Sequence, residues 1–147
     1  MRKQTYMIIA VIMLVAFGAL STTKAQNNGK PQLVANIPFA FSVGDKTMPG
    51  GEYIVQCVNA DSPTKVLQVR SKNGDYSAMV RTNSVIGKIE DNARLVFYHY
   101  GDQYFFAQAW LPADNTGMQA PKSRTEKARE LAREKRTTET VMATVRR

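Results

Sequence analysis

The dipeptide Asn73-Gly74 places the strongest local constraint on the fold of this chain. Asn-Gly between two alternating segments is a strong signal for a two-residue β-hairpin loop. The pairs that such a loop predicts are Lys72 with Asp75, Ser71 with Tyr76, Val69 with Ala78, and Leu67 with Val80. This register collects apolar side chains on one face, namely Leu67, Val69, Tyr76, Ala78 and Val80. Because turn and alternation agree, the sequence predicts a hairpin with one buried face.

Gly101-Asp102 centres a second predicted hairpin. Its predicted pairs are Tyr100 with Gln103, His99 with Tyr104, Phe97 with Phe106, and Leu95 with Gln108. Both faces of this hairpin are largely apolar or aromatic. Such strands are buried on both sides, or one face lines a cavity or a partner surface.

Further strands are predicted on either side of these hairpins. Alternation from Ile37 to Val43 indicates a strand, and Pro38 places it at an edge or at a strand start. A strand over 52–58 carries Cys57 on the same face as Val55. A short strand is expected over 84–89 and a loop over 112–121.

The C-terminal segment predicts a helix. Ser123 and Glu126 have the spacing of a capping box, and we expect a helix from about Arg124 to Arg136. Residues 137–147 alternate enough for a last strand but also fit a frayed tail. The predicted fold is all-β, an antiparallel sandwich or small barrel of about seven to eight strands, with one C-terminal α-helix.

The N-terminus has the pattern of a secretory signal peptide. Arg2 and Lys3 precede an uncharged apolar run over 6–20, and Ala25 fits the residue before a cleavage site. An uncleaved anchor would usually need about 20 apolar residues. We therefore predict three parts: a signal peptide over 1–25, a β-domain over 26–121, and a basic helix and tail over 122–147. The mature protein is expected to be periplasmic, at the cell surface or extracellular, with no transmembrane segment left after cleavage.

The formal net charge of +8 is unevenly distributed along the chain. Residues 1–25 hold three basic and no acidic side chains, and residues 26–121 hold eight of each. Residues 122–147 hold nine basic and four acidic side chains, a net charge of +5. RNA-binding sheets combine aromatic with basic residues, so the neutral strand region argues against a nucleic-acid partner.

Few residues offer catalytic or metal chemistry. His99 is the single histidine, and no motif marks a serine nucleophile to accompany it. Cys57 is the single cysteine, so no internal disulfide forms, and its place beside Val55 indicates burial. The alternative is an intermolecular disulfide in an oxidising compartment. Glu90-Asp91 is the one adjacent acidic pair and fits a solvated turn. We expect no catalytic residues, no metal and no cofactor.

Two surfaces are candidates for binding. The aromatic-rich second hairpin supplies potential ligand or partner contacts, which are Phe97, His99, Tyr104, Phe106 and Trp110. The basic C-terminal segment supplies potential contacts to an anionic surface, which are Arg129, Arg133 and Arg136. A β-core and a solvated helix face are the structural alternatives for these two groups.

Three segments together resemble a known group of proteins. They are Ile37-Pro38-Phe39-Ala40-Phe41-Ser42-Val43-Gly44, Met48-Pro49-Gly50-Gly51-Glu52-Tyr53-Ile54-Val55 and Tyr100-Gly101-Asp102-Gln103-Tyr104-Phe105. This pattern resembles small exported proteins of unknown function that are abundant in acidobacteria, in which the position of Gly50 is commonly Ala. The resemblance implies export and a β-rich fold, and no activity.

The expected function is that of an exported, non-catalytic β-domain, a binding or structural module in the periplasm or cell envelope. The alternative is a small β-barrel that carries an apolar ligand, because the second hairpin is apolar on both faces. A hydrolase that uses His99 is the least favoured hypothesis. An envelope component or an apolar ligand is the expected partner.

Overall fold

A computed structural model describes residues 29–147, so the predicted signal peptide over 1–25 lies outside the described residues. The described chain folds into strands and one helix. They are β1 (Gln32–Ile37), β2 (Phe41–Val43), β3 (Lys46–Met48), β4 (Gly51–Cys57), β5 (Lys65–Ser71), β6 (Ser77–Ile86), β7 (Ala93–Tyr100), β8 (Gln103–Trp110), β9 (Thr116–Gln119), α1 (Arg124–Leu131) and β10 (Arg136–Arg146).

Eight strands close an antiparallel β-barrel in the order β8-β7-β10-β1-β4-β5-β6-β9, and β9 pairs with β8 to complete the ring. The predicted fold class is confirmed, and of its two alternatives the barrel is found. The short hairpin β2–β3 lies outside this ring. Phe41 of β2 pairs in parallel with Tyr104 of β8, and the Lys46 ammonium donates a hydrogen bond of 2.5 Å to the Ser77 carbonyl oxygen of β6.

The register predicted for the first hairpin is confirmed, since Val69 pairs with Ala78 and Leu67 pairs with Val80. The loop is wider than the predicted two residues. The last bond before it joins the Ser71 N–H to the Tyr76 carbonyl oxygen at 2.8 Å, and residues 72–75 make the turn. Tyr76 is 41% exposed, because it stands at the open end of the hairpin.

The second hairpin follows the predicted register from Tyr100 back to Phe97, and the pairing then shifts. A β-bulge between Val96 and Phe97 makes Leu95 pair with Ala109 instead of the predicted Gln108. A bulge adds one residue to one strand and cannot be located from alternation alone.

The predictions for three segments are wrong. The strand over 37–43 is broken between β1 and β2, because Pro38 cannot donate to a ladder. The strand over 84–89 does not exist as a separate element: its first residues end β6, and the chain leaves the sheet at Gly87. The loop over 112–121 contains β9, which carries Gly117 against the Trp110 ring.

The predicted cap of α1 is confirmed, since the Ser123 hydroxyl oxygen accepts a hydrogen bond of 3.1 Å from the Glu126 N–H. The helix ends five residues earlier than the predicted Arg136, at Leu131. Arg133 has a left-handed backbone with φ 58°, which turns the chain back toward the sheet. Of the two alternatives for residues 137–147, the structure shows the strand. β10 lies between β7 and β1 and completes the barrel wall.

Both faces of β7–β8 are buried, for two different reasons. Phe97 and Phe106 point into the barrel core. On the outer face, Tyr100 and Phe105 are 1% and 2% exposed, and side chains of α1 lie near Tyr100. The Arg129 Nε–H donates a hydrogen bond of 3.1 Å to the Gln103 amide oxygen and ties α1 to this wall.

Candidate functional site

The two ends of the barrel are built from different side chains. At one end β1 finishes, β4 begins and the β7–β8 turn closes. We call it the aromatic end, after its rings Phe39, Phe41, Tyr53, Phe97, His99, Tyr104 and Phe106. At the other end β1 begins and β4 finishes. We call it the slot end, after a small cavity lined by aliphatic side chains that is described below.

The rings of the aromatic end interlock. Tyr104 stacks between Phe39, at 3.8 Å between ring centroids, and His99, at 4.0 Å. Phe41 meets Phe97 edge to face at 5.3 Å and Tyr53 at 5.0 Å. The Tyr53 hydroxyl donates a hydrogen bond of 2.6 Å to the Pro49 carbonyl oxygen. Edge-to-face and offset ring contacts stabilise the folded state by more than the burial of their surface alone. The aromatic end is therefore closed by tightly packed rings.

The five predicted ligand-contact residues do not form one surface. Phe97 and Phe106 are 0% and 4% exposed and belong to the core. His99 and Tyr104 are half-buried in the ring stack. Trp110 is on the outer wall, where Arg94 lies 4.8 Å above its ring and a Cβ at Gly117 would meet it at 2.7 Å.

His99 has a hydroxyl neighbour but no carboxylate partner among residues 29–147. Its Nδ1 lies 3.2 Å from the Thr137 Oγ1, and its ring stacks on Tyr104. Within residues 29–147 no carboxylate contacts the His99 ring. A base also needs a group that orients it, so this geometry gives the hydrolase hypothesis no further support.

The slot end holds an apolar cavity of about 100 Å³, which we call the slot. Its apolar lining comes from four strands, β1, β4, β5 and β9, and from the segment after β8. These residues are Leu33, Val55, Cys57, Leu67, Leu111 and Met118. Leu33, Val55 and Leu67 are each 1–2% exposed, so the floor of the slot is the barrel core itself. Mouths of β-barrels are preferred places for small-molecule sites.

Cys57 is a half-buried free thiol in the wall of the slot. Its Sγ lies 3.9 Å from the Asn59 amide oxygen. Cys57 forms part of the slot wall as a small, weakly polar side chain. Its inward position, on the same face as Val55, agrees with the sequence pattern.

Cationic side chains border the slot. Lys30 and Lys65 belong to its lining, and among residues 29–147 neither takes part in an ion pair. A wider groove of about 480 Å³ adjoins the slot and shares Pro31 and Leu111 with it. The acid of this groove, Asp114, accepts a hydrogen bond of 2.8 Å from the Thr116 N–H.

A second open groove of about 480 Å³ lies at the aromatic end, between residues 49–53 and 71–76. Its polar side chains bind each other: the Lys72 ammonium lies 2.9 Å from the Glu52 carboxylate, and the Ser71 hydroxyl oxygen accepts from the Tyr76 N–H at 2.9 Å. Within the described chain, the cation of this groove is therefore already paired, unlike Lys30 and Lys65 at the slot end.

The three predicted anionic-surface arginines have different environments. Arg129 is paired with Glu134 at 2.8 Å, and Arg136 lies 4.5 Å above the Tyr98 ring. Arg133 is exposed in the turn after α1. Two of the three are thus engaged with this chain's own side chains.

The helix α1 carries one buried carboxyl, that of Glu126. Glu126 is 4% exposed, and neither its Oε1 nor the Tyr100 hydroxyl has a hydrogen-bond partner within the described chain. Burial raises the pKa of Glu126 above its usual range, and the charge of Glu130 raises it further, while the charges of Lys122 and Arg136 oppose the shift. The helix therefore buries an ionisable group of its own that favours its neutral form.

Sequence reasoning missed most of the slot because its lining is distant along the chain. Leu33 and Leu111 come together only when β1, β10 and β7 have paired. The one available signal was Cys57, a small side chain on the inward face of β4.

Within residues 29–147 no set of His, Cys, Asp and Glu side chains converges to hold a metal ion. None of the helices in this part of the chain is both long and apolar enough to cross a membrane. No protein-family model, no curated protein and no solved structure matches the chain.

Proposed function

We propose that this protein is an exported, non-catalytic β-barrel that works in the periplasm or cell envelope as a binding module. Its ligand is a small apolar molecule, or the apolar end of a larger one, held in the slot. The observation that carries the proposal is the 100 Å³ apolar cavity at the slot end.

The filled interior limits how much of a ligand can enter. An eight-stranded barrel is just wide enough to be filled by side chains or to hold one small ligand. Here Phe41, Phe97 and Leu95 are each at most 1% exposed and belong to the packed core. The slot has the volume of about three water molecules in the liquid. It therefore suits a ring or a short aliphatic chain end, and not a deeply enclosed lipid.

Export rests on the sequence of residues 1–25. Cell fractionation with N-terminal sequencing of the purified protein tests it. We expect the mature chain outside the cytoplasm with Gln26 as its first residue. A cytoplasmic chain that keeps residues 1–25 would reject the export part of the proposal.

Binding is tested by calorimetric titration of the mature chain with octanol, a neutral apolar probe. We expect saturable binding that is lost in Cys57→Phe, because the ring fills the slot. Cys57→Ala enlarges the slot and should still bind. Val58→Phe is the matched control, since Val58 is the next residue and is 39% exposed outside the slot.

Thermal unfolding of each variant separates loss of the site from loss of the fold. If Cys57→Phe unfolds, Met118→Phe provides a second way to fill the slot from β9. Octanol binding that is absent in the wild type, or equal in wild type and a folded slot-filled variant, would reject the proposed site.

A further inference from the structure

The slot is apolar within and cationic at its border. Lys30 precedes β1 and Lys65 begins β5, so the two lysines reach the cavity from separate segments. Lysine covers apolar surface with its methylene stem and keeps its ammonium in water. Both lysine side chains therefore belong to the border of the slot, where this tendency directs the ammonium groups toward solvent.

Neither ammonium is in an ion pair with a carboxylate of residues 29–147, although Lys72 and Lys122 are each paired with a glutamate. A cation next to an apolar cavity is complementary to an anion that carries an apolar group. The cavity alone indicates an apolar ligand. The two lysines add that the ligand should carry a negative charge.

We propose that the slot selects apolar anions, with the hydrocarbon part between Leu33 and Leu67 and a carboxylate at Lys30 and Lys65. This inference rests on the proposed function, because it names the chemical class of ligand for the same site. The adjoining groove, which shares Pro31 and Leu111 with the slot, gives room for a head group larger than the slot itself.

The test compares three probes with the same chain and different head groups: octanoate, octanol and octylammonium. Each is titrated into the mature protein at low ionic strength. Octanoate should bind most tightly and octylammonium least. Raising the salt concentration should weaken octanoate binding and leave octanol binding unchanged, because salt screens exposed charges.

Lysine variants assign the effect to the slot. Lys30→Met and Lys65→Met keep the length of the side chain and remove its charge. Each should weaken octanoate binding by about two- to fivefold, the range typical of one exposed ion pair. Neither should change octanol binding. Lys88→Met is the matched control, since Lys88 is exposed in the 87–92 loop and lines neither cavity of the slot end.

The outcomes distinguish this inference from the proposed function. If octanol and octanoate bind equally and the lysine variants change nothing, anion selectivity is overturned and the apolar site remains. If no probe binds, both proposals fail. Apparent affinities that fall as protein concentration rises would indicate that a second copy of the chain occupies the slot, which also overturns the inference.

Discussion

The aromatic end and the slot end of the barrel are closed by different types of side chain. At the aromatic end, the β2–β3 hairpin and its neighbours bring rings together edge to face, and Phe97 alone contacts Phe39, Phe41 and Phe106. At the slot end, shorter aliphatic side chains line the barrel and leave about 100 Å³ open.

The difference indicates that a binding site in this chain is to be sought where side chains leave open volume. Its aromatic residues are the most conspicuous in the sequence, yet the structure uses most of them as packing. The open volume lies among residues that look ordinary in sequence, such as Leu33 and Val55. A cavity depends on what side chains fail to fill, and residue type alone does not report that.

The largest expected effect tests whether the aromatic end holds the fold together. Phe97→Ala removes the ring at the centre of the cluster and should lower the free energy of unfolding by about 3 to 5 kcal/mol. Met118→Ala removes a side chain that is only half-buried and should cost about 1 kcal/mol, the middle of the range for single substitutions. Urea unfolding of both variants measures the contrast, and equal losses would contradict it.

A smaller effect is expected from the outer wall of the slot end. A Cβ at Gly117 would lie 2.7–2.8 Å from atoms of the buried Trp110 ring, which has little room to move. Gly117→Ala should therefore lower the free energy of unfolding by about 1 to 3 kcal/mol through overpacking. Because Met118 is the next residue, the same variant should also weaken octanol binding.

Thr116→Ala in the same strand is the control for Gly117→Ala. It removes side-chain atoms and adds none against Trp110, so its effect on octanol binding should be small. If Gly117→Ala were as stable as the wild type and bound octanol equally well, β9 would be free to shift, and the slot would lack a fixed wall.

The smallest effect concerns the pH dependence of stability at the aromatic end. The pKa of Glu126, which is in α1, is raised in the folded state, so the protonated form is favoured there. The stability linked to this group is fully present below the unfolded pKa and is lost as pH rises through the folded pKa. Glu126→Gln mimics the neutral form and should be more stable than the wild type by about 1 kcal/mol near neutral pH.

Glu130→Gln is the matched control on the same helix, with the opposite sign. A hydrogen bond from Lys122, with a 2.6 Å N–O distance, lowers the pKa of Glu130, so its contribution is present above the unfolded pKa and lost in acid. Urea unfolding across the acid-to-neutral range should show the Glu126→Gln advantage fading in acid. An advantage that stays constant with pH would show that Glu126 is not the titrating group.

Local signals predicted the fold where a turn fixed the register. Asn73-Gly74 set every pair of β5 and β6, although its loop has four residues and not two. Gly101-Asp102 set the pairs of β7 and β8 as far as Phe97, where the bulge begins. Beyond a bulge, each further pair is displaced by one residue, so alternation loses its meaning.

Closure of the barrel could not be predicted, because it depends on pairing between distant segments. β10 meets β1 across almost the whole described chain, as in the pair of Gln32 with Arg146. β9 is four residues long and contains Gly117, so its local pattern resembles a loop. The slot follows from closure and was hidden for the same reason, apart from the inward position of Cys57.

The methionines of the described chain allow the most direct test of the site. Met118 lines the slot, Met48 is buried near the aromatic end, and Met79 and Met142 are exposed on the outer wall. The mature protein with isotope-labelled methionine methyl groups can be titrated with octanol by NMR. The account predicts a saturable shift of the Met118 methyl signal while the other three signals stay in place. A shift of Met48 without Met118, or no shift at any methionine, would contradict it.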